Sequence, residues 1–317
     1  MKKALLSSVA VVAFSICSCD STGTIEKPMH EDVNEVFVTV KPMEGEMSSS
    51  RLATSDAVEF IWEFNDTIGI FPSQGGQVEF PITEESVGKS SANFTGGGWA
   101  LKAGYSYSAY YPFDFYNRNA TQVPISYLGQ TQDGRGTKAR AHLSDYVCLA
   151  SGPVFVENGA LRFPLSHVGS VLVLTLTLPE ATTYTSLSVF TDAKVIPVRK
   201  TINIHDAEVT ETVTELSNRV TLNLKDIKTT QPNEEVVFWL AFPSVAEGSR
   251  ALKVVVYDKY GYSYVGNICK NTGEQAMVSF TKNKFQRRYA SPVLTEGFNF
   301  GVGGWGSDGT DHGGSVN

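Results

Sequence analysis

The sequence predicts an all-β fold, and three observations support that prediction. Short segments of alternating apolar and polar residues recur along most of the chain, and this period of two places one row of side chains on a core. Turn signals such as Asn158-Gly159 and Tyr260-Gly261 separate the segments. Helical periodicity is almost absent, with only a turn or two expected around Lys282–Gln286. Many short strands at such spacing are typical of β-sandwiches and barrels.

The first predicted strand is Val36–Val40, in which valines alternate with other residues. Pro42 and a small, polar run after it end the strand. One basic residue, Arg51, lies in this break, and Val58–Phe64 predicts the next strand. The chain is therefore expected to join an edge strand to its body through a segment that a protease can reach. The residues of the first strand that would face the core or pair with a partner are Val36, Val38 and Val40.

Further strands follow as apolar runs between turns. The strongest is Val168–Leu178, where β-branched residues and the closing Pro179 favour a central strand over a buried helix. Its apolar residues occupy both parities at first and then alternate with Thr. The polar segment 129–142 is predicted to be a surface loop. The remaining predicted strands are Val78–Ile82, Ala92–Thr95, Trp99–Leu101, Tyr105–Tyr111, Ser144–Ala150, Val154–Val156, Ser186–Phe190, Lys194–Val198, Arg219–Leu224, Val236–Phe242, Ala251–Tyr257, Ser263–Ile268 and Ala276–Phe280.

The length of 317 residues predicts about two domains. We expect the boundary near Gly159, which gives a first domain over residues 36–159 and a second over 160–297. Residues 298–317 are dense in glycine and are predicted to form a flexible tail. Neither half repeats the other at a fixed period, so a solenoid or propeller is not expected.

The N-terminus predicts export and lipid anchoring. Residues 1–18 begin with two lysines and continue as an apolar run too short to span a bilayer. Ser18-Cys19 resembles a bacterial lipoprotein box, with Cys19 as the lipidated residue and Asp20 resembling a surface-export signal. Residues 19–35 then read as a tether, and acylation at Cys19 would anchor the chain in the outer membrane. The alternative is an ordinary secretory leader with incidental cysteines.

Charge and cysteine content limit the possible partners. The formal net charge of −7 supplies no basic face, which argues against nucleic acid and leaves protein, glycan and cell-surface partners open. Two cysteines, Cys148 and Cys269, remain after the leader. In an oxidising compartment they are able to form a disulfide, and two buried free thiols are an equal alternative.

No catalytic, metal or cofactor site is predicted. The five histidines lack metal-ligand spacing, and no nucleophile elbow occurs. The glycines of segment 129–136 are spaced like a phosphate loop, but Arg135 and Gly136 replace the residues that such a loop needs. The aromatic residues of 105–116 give an alternative function, a surface lipoprotein that stacks glycans on its rings. The plainer interpretation is that this cluster is half core and half rim.

Several segments, taken in order, resemble the fimbrillin family of Bacteroides-type bacteria, the subunits of type V pili and related surface adhesins. The resemblance covers roughly residues 1–180, and the C-terminal half is similar mainly in strand content. Asn65 departs from the family, which commonly has Gly before the Asp; Asn also tolerates positive φ. The residues that carry the resemblance are Arg51–Thr54, Trp62, Asn65–Phe71, Tyr107–Pro112, Leu143–Tyr146 and Phe163–His167.

The resemblance implies two transthyretin-like β-sandwich domains in tandem and assembly by strand exchange in a surface fimbrium. A trypsin-like protease would cut between Arg51 and Leu52, the first strand would leave, and an extended segment of a neighbouring subunit would take its place. The implied partners are other fimbrial subunits, the processing protease and an unidentified surface receptor. A shaft subunit, a tip or anchor subunit and a non-polymerised adhesin all stay open, because the glycine-rich residues 301–317 alternate poorly and Tyr289–Leu294 alternates better.

Overall fold

The structure is a computed structural model that describes residues 35–45, 60–96, 101, 102, 104–246, 248 and 250–295. The described chain contains four β-sheets, two short 3₁₀-helices (Glu84–Ser86 and Gly136–Arg140) and one short α-helix, α1 (Leu143–Tyr146), which confirms the all-β prediction. Within these residues no helix has the length and apolar character that a bilayer crossing requires. The predicted leader, tether and tail lie outside the described residues, as do Cys19, Arg51 and Leu52.

The largest sheet has seven strands in the order β4-β3-β6-β9-β10-β1-β5. All neighbouring pairs in it are antiparallel except β1 and β10, which run parallel. Its strands are β1 (Glu35–Val40), β3 (Thr67–Pro72), β4 (Val78–Pro81), β5 (Ser91–Phe94), β6 (Ser106–Tyr111), β9 (Leu149–Phe155) and β10 (Ala160–His167).

Three further sheets follow the orders β16-β11-β19-β2, β20-β18-β17-β12-β15-β8 and β14-β13-β7. Short strands from the first half of the chain pair with strands of the second half in each of them. Those short strands are β2 (Glu44–Gly45), β7 (Val123–Ser126) and β8 (Thr131–Asp133). The others are β11 (Ser170–Leu178), β12 (Thr183–Phe190), β13 (Ile196–Asn203), β14 (Thr210–Ser217), β15 (Arg219–Lys228), β16 (Glu234–Phe242), β17 (Lys253–Asp258), β18 (Ser263–Asn267), β19 (Lys284–Ala290) and β20 (Val293–Leu294).

Two hydrophobic cores form, and the four-stranded sheet contributes to both. In β11, Val171 and Val173 belong to the first core, which the seven-stranded sheet covers, whereas Leu172 and Leu174 belong to the second core. The first half of this strand is therefore buried on both faces. In its second half, Thr175 and Thr177 are half-buried. As predicted, β11 is a central strand, with β16 and β19 on its two sides.

Several predicted elements are wrong in whole or in part. Ala276–Phe280 forms no strand and makes only isolated bridges, such as that between Val245 and Phe280. Residues 60–64 form no strand; the strand begins at Thr67, after a turn in which Asn65 adopts a φ of +73°. The first half of Ser144–Ala150 is helix α1, and β9 starts only at Leu149. The helical turn expected around Lys282–Gln286 is absent, because Lys284–Ala290 is strand β19, hydrogen-bonded along β11.

Strand β10 bears on where a domain boundary would fall. It follows Gly159, yet it pairs with β1 and β9, and Leu161, Phe163 and Leu165 pack in the first core. We therefore propose that two domains, if divided by their cores, meet after His167. The halves also interlock, because Ile202 and Ile204 of the second half lie in the first core.

Candidate assembly site around the first strand

Strand β1 lies inside the seven-stranded sheet. It runs parallel to β10 on one side, with Val38 opposite Phe163, and antiparallel to β5 on the other, with Val38 opposite Ala92. The expectation of an edge strand is wrong in this respect, since β5 lies outside β1 and forms the edge. A strand that left this position would expose two rows of backbone donors and acceptors instead of one.

The side chains of β1 follow the predicted alternation. Val36 and Val38 are buried in the first core, and Val40 is half-buried against it. Phe94 of β5, which stands opposite Val36, packs edge-to-face on the Trp62 ring at a centroid distance of 5.0 Å. The position that β1 fills is therefore apolar and lies beside a cluster of buried aromatic rings.

The chain after β1 crosses from the first core to the four-stranded sheet. Met43 is almost completely buried in the first core, and Glu44 and Gly45 then pair in parallel with Lys284 and Phe285 of β19. The Glu44 amide donates to the Asn283 carbonyl at 3.2 Å. Residues 35–45 are thus one extended segment that contributes to two sheets and fills a buried socket with Met43.

The sequence did not indicate this second part of the segment. Strand β2 has two residues and includes a glycine, and its partner lies about 240 positions away along the chain, so no local pattern reports it. Met43 was the available signal, because a lone large apolar residue after Pro42 stands among polar neighbours.

The two edges of the four-stranded sheet are covered by different kinds of group, a short strand on one and side chains on the other. Strand β2 covers the β19 edge with two residues, whereas side chains from segment 130–142 cover the β16 edge. Gln130 and Gln132 both bond to backbone groups of β16, and His142 Nε2 lies 3.0 Å from the Trp239 carbonyl oxygen. Departure of residues 35–45 would therefore uncover the start of β19, where Cys269 still pairs with Tyr289 farther along, and would leave the β16 edge closed.

A cleft of about 700 Å³ borders the site between β10, the start of β19 and the β13–β14 connection. His167, at the end of β10, lines it and is buried, and neither ring nitrogen has a hydrogen-bond partner in the described chain. Burial lowers the pKa of His167 to about 4. The imidazole is therefore neutral at physiological pH, as expected for a core residue rather than a ligand.

The aromatic cluster of residues 105–116 divides between core and surface. The hydroxyl groups of two buried rings are used internally: Tyr110 donates to Gln77 Oε1 at 2.7 Å, and Tyr111 donates to Asp66 Oδ1 at 2.8 Å. Phe115 and Tyr116 are exposed. A glycan platform built on the whole cluster is therefore not available, because its buried rings present no free face.

The remaining candidate residues form no chemical site within the described parts of the chain. Cys148 and Cys269 are free thiols; the first is buried, and burial raises the pKa of Cys148 to about 12. No group of three or more possible metal ligands comes together there. The candidate site is therefore the seat of residues 35–45, and the residues predicted for processing, Arg51 and Leu52, lie in the undescribed segment that follows it.

Comparison with known proteins shows a likeness in fold alone. No family model matches the sequence, and no curated protein matches it significantly. A solved structure of a proposed cell adhesion protein from Bacteroides ovatus superposes with a TM-score of 0.50 at 13% identity, covering 84% of this chain and 95% of that one. At this identity the likeness establishes a shared fold.

Two other neighbours are similar in kind. A proposed cell adhesion protein from Bacteroides uniformis gives a TM-score of 0.47 at 12% identity, covering 83% of this chain and 97% of that one. The tip fimbrial protein Mfa3 from Porphyromonas gingivalis gives 0.39 at 9% identity, covering 82% of this chain and 99% of that one. The structural neighbours are thus fimbrial and proposed cell adhesion proteins, the classes that the resemblance in the sequence implies.

Proposed function

We propose that this protein is a cell-surface lipoprotein that serves as a fimbrial subunit or adhesin, and that it accepts a strand from a neighbouring subunit where residues 35–45 now lie. In this proposal Cys19 carries the lipid anchor in the outer membrane, and a trypsin-like protease cuts between Arg51 and Leu52. The two cores are interpreted as tandem transthyretin-like sandwich domains. The role is structural rather than enzymatic.

The observation that carries the proposal is the seating of the first strand between β10 and β5. A leaving segment that contributes Val36, Val38 and Met43 to a buried core vacates an apolar trough with an unpaired strand edge along each side, β10 on one and β5 on the other. An incoming extended segment restores the same hydrogen bonds and the same burial, which is β-augmentation. Because one subunit's trough takes another subunit's strand, the contact is heterologous and propagates as a filament.

The donor would come from outside the folded body of a neighbouring chain. Tyr289–Leu294, the better of the two candidate segments by alternation, overlaps β19 and β20, which pair with β11 and β18. These residues are integral to the second half, and releasing them would expose its core. The donor in this proposal is therefore either the segment that follows residue 295 or a strand of an accessory subunit.

The proposal is tested by limited digestion of the full chain with a trypsin-like protease. We expect cleavage after Arg51, loss of the N-terminal fragment and a ladder of oligomers that resist SDS. The Arg51→Ala variant should give no ladder, and Arg118→Ala, which removes an exposed arginine elsewhere, should ladder like the wild type. An Arg51→Ala protein that assembles equally well would remove the cleavage step from the proposal.

The anchoring step has its own measurement. Mass spectrometry of protein taken from intact cells should find an acylated Cys19 as the first residue before processing and Leu52 after it. An unmodified start, or unchanged membrane partition of Cys19→Ala, would contradict the lipoprotein assignment without bearing on the fold.

A further inference from the structure

The end of the second core that lies away from the first core carries an open cleft of about 500 Å³. Strand β11 starts beside the first core and ends with Leu178, eight residues later and shortly before Glu180, which lines this cleft. At roughly 3.3 Å per residue, the two ends of β11 are about 25 Å apart. Strand β2 pairs with the start of β19, which lies beside the start of β11, so the cleft is remote from the seat of residues 35–45.

Two tyrosines stand at the mouth of this cleft on the turn between β17 and β18. Tyr260 is 71% exposed and Tyr262 is 58% exposed, although aromatic rings of this size are usually covered. Both belong to the lining of the cleft. Exposed rings next to a concave surface are a common feature of binding sites.

The turn that displays these rings is rigidly held. The buried Asp258 carboxylate accepts from the backbone amides of Tyr260 and Tyr262 through one oxygen, Oδ1, both at 2.9 Å. Gly261 takes a φ of +87°, and the Lys259 amide donates to the Thr183 carbonyl at 2.9 Å. The backbone that carries the two rings is thus fixed before any ligand arrives, which lowers the entropy cost of binding.

The walls of the cleft add polar groups of several kinds. Glu180 and Lys228 are exposed charged residues of the lining, and Lys259 Nζ lies 4.8 Å from the centroid of the Tyr260 ring. Thr182 is nine-tenths buried, and its hydroxyl has no hydrogen-bond partner within the described chain. This oxygen is shielded from solvent, so the polar groups that a ligand in the cleft can reach are those of the charged side chains.

We propose that this cleft binds a saccharide. A sugar ring offers an apolar C–H face that stacks on a tyrosine and hydroxyls that both donate and accept, and the cleft presents complements to each. Glu180 accepts and the lysines donate. The volume of the cleft falls within the range of about 300–1,000 Å³ that is typical of small-ligand sites. A protein partner would instead need a broad contact surface, roughly 800 Å² on each of the two proteins.

The inference gives the proposed adhesin a receptor class, but it does not depend on strand exchange. Saccharide binding is measured on the intact, uncleaved monomer, so its failure leaves the assembly proposal untouched. Likewise, a failure of cleavage or of oligomer formation would not contradict the proposal that the cleft binds a saccharide.

The test is affinity electrophoresis of the full chain in native gels that contain gastric mucin or a plant xylan, arabinogalactan or pectin. We expect retardation in at least one of these gels. Tyr260→Ala and Tyr262→Ala should each raise the apparent Kd at least about tenfold, the equivalent of 1.4 kcal/mol.

Matched controls separate the site from a general surface effect. Tyr116→Ala removes a tyrosine that is 84% exposed in the first half of the chain and should leave retardation unchanged. Tyr262→Phe keeps the ring and should retain most of the binding. Absence of retardation in every gel overturns the inference, as does retardation that survives both alanine variants or is lost in Tyr116→Ala.

Discussion

Gln130 and Ala241 form a closed pair of hydrogen bonds in which an amide side chain takes the place of a β-strand. The Ala241 amide donates to Gln130 Oε1 at 2.8 Å, and Gln130 Nε2 donates to the Ala241 carbonyl, also at 2.8 Å. Two residues on, Gln132 Oε1 accepts from the Trp239 amide at 3.0 Å, and its Nε2 donates to the Val237 carbonyl at 3.2 Å.

This pairing closes the second core along one side. The backbone of β8 pairs with β15 in the six-stranded sheet. The side chain of Gln132 in β8 and that of Gln130 just before it reach β16 in the four-stranded sheet. The β16 edge therefore presents no continuous row of free groups to a foreign strand, which is how native sheets avoid unwanted pairing. In the proposed assembly, this edge is therefore not the acceptor of an incoming strand.

We expect Gln130→Leu to destabilise the protein by about 2–4 kcal/mol, because it leaves the buried amide and carbonyl of Ala241 without partners. Denaturant unfolding followed by fluorescence measures the change. Gln74→Leu is the matched control, since Gln74 is exposed, and it should change stability by less than about 0.5 kcal/mol. Equal stability of the two variants would show that solvent satisfies β16 as well as the glutamine does.

A second buried polar pair joins β13 to β14. Lys200 Nζ is completely buried and donates to Glu211 Oε2 at 2.7 Å and to Ser244 Oγ at 3.3 Å. On the same two strands, Arg199 and Glu215 form an ion pair at 2.6 Å that is about half exposed on both sides. The two pairs differ mainly in burial.

Glu211→Gln should therefore cost about 3–5 kcal/mol, because it leaves the buried ammonium without a counter-charge. Glu215→Gln should cost less than about 1 kcal/mol. Adding Lys200→Met to Glu211→Gln should recover part of the loss, since Met fills the space without a charge. A double-mutant cycle by chemical unfolding measures the coupling, and purely additive losses would count against a paired role for Lys200.

The pH dependence of stability should report on His167. Its folded pKa of about 4 lies below the ordinary value of 6.5, so the unfolded chain binds a proton that the folded chain does not between these two values. The stability associated with the neutral ring is complete above about pH 6.5 and is lost as the pH falls towards 4. The loss amounts to about 3 kcal/mol at most.

His167→Phe should flatten the stability profile between pH 6.5 and 4, measured by urea unfolding at each pH. Some acid sensitivity should remain, because burial also lowers the pKa of His142. The exposed His205 provides the control, and His205→Ala should keep the wild-type profile. A His167→Phe profile as steep as that of the wild type would mean that other groups govern acid stability.

Strand β11 shows why part of the fold is legible in the sequence. Residues 171–174 are apolar without interruption because one face packs in each core, and the later Leu/Thr alternation begins where the first core ends. Burial on one or two faces thus leaves a direct mark on the residue pattern. The same logic identified Val36–Val40, whose alternation matches its burial.

Other parts of the fold could not be predicted from the pattern of apolar and polar residues. Trp62 is buried like a strand residue, yet its backbone bonds to a turn much farther along the chain rather than to a strand. Its amide donates to the Lys89 carbonyl, and its carbonyl accepts from the Gly88 amide. Segment 129–142 was expected to be a surface loop, but Gln130 and Gln132 are fully buried. Their amides replace backbone partners, so polar composition here reflects hydrogen bonding inside the protein rather than exposure to water.

The seat of Met43 should control how long the first strand stays after cleavage. Val36 and Val38 anchor one end of residues 35–45 in the first core, and Met43 anchors the other beside β19. Replacing Met43 by Ser removes a nearly complete side-chain burial, which is worth about 2–3 kcal/mol. The cleaved Met43→Ser fragment should therefore dissociate at least about tenfold faster than the wild-type fragment. Thr39→Ala, a change at an exposed position of the same strand, should leave the rate unchanged.

The measurement is size-exclusion chromatography of the full chain at intervals after trypsin-like cleavage. If the Met43→Ser and wild-type fragments leave at the same rate, burial of Met43 does not help to retain the strand, and the acceptor site of the proposed assembly ends at Val40.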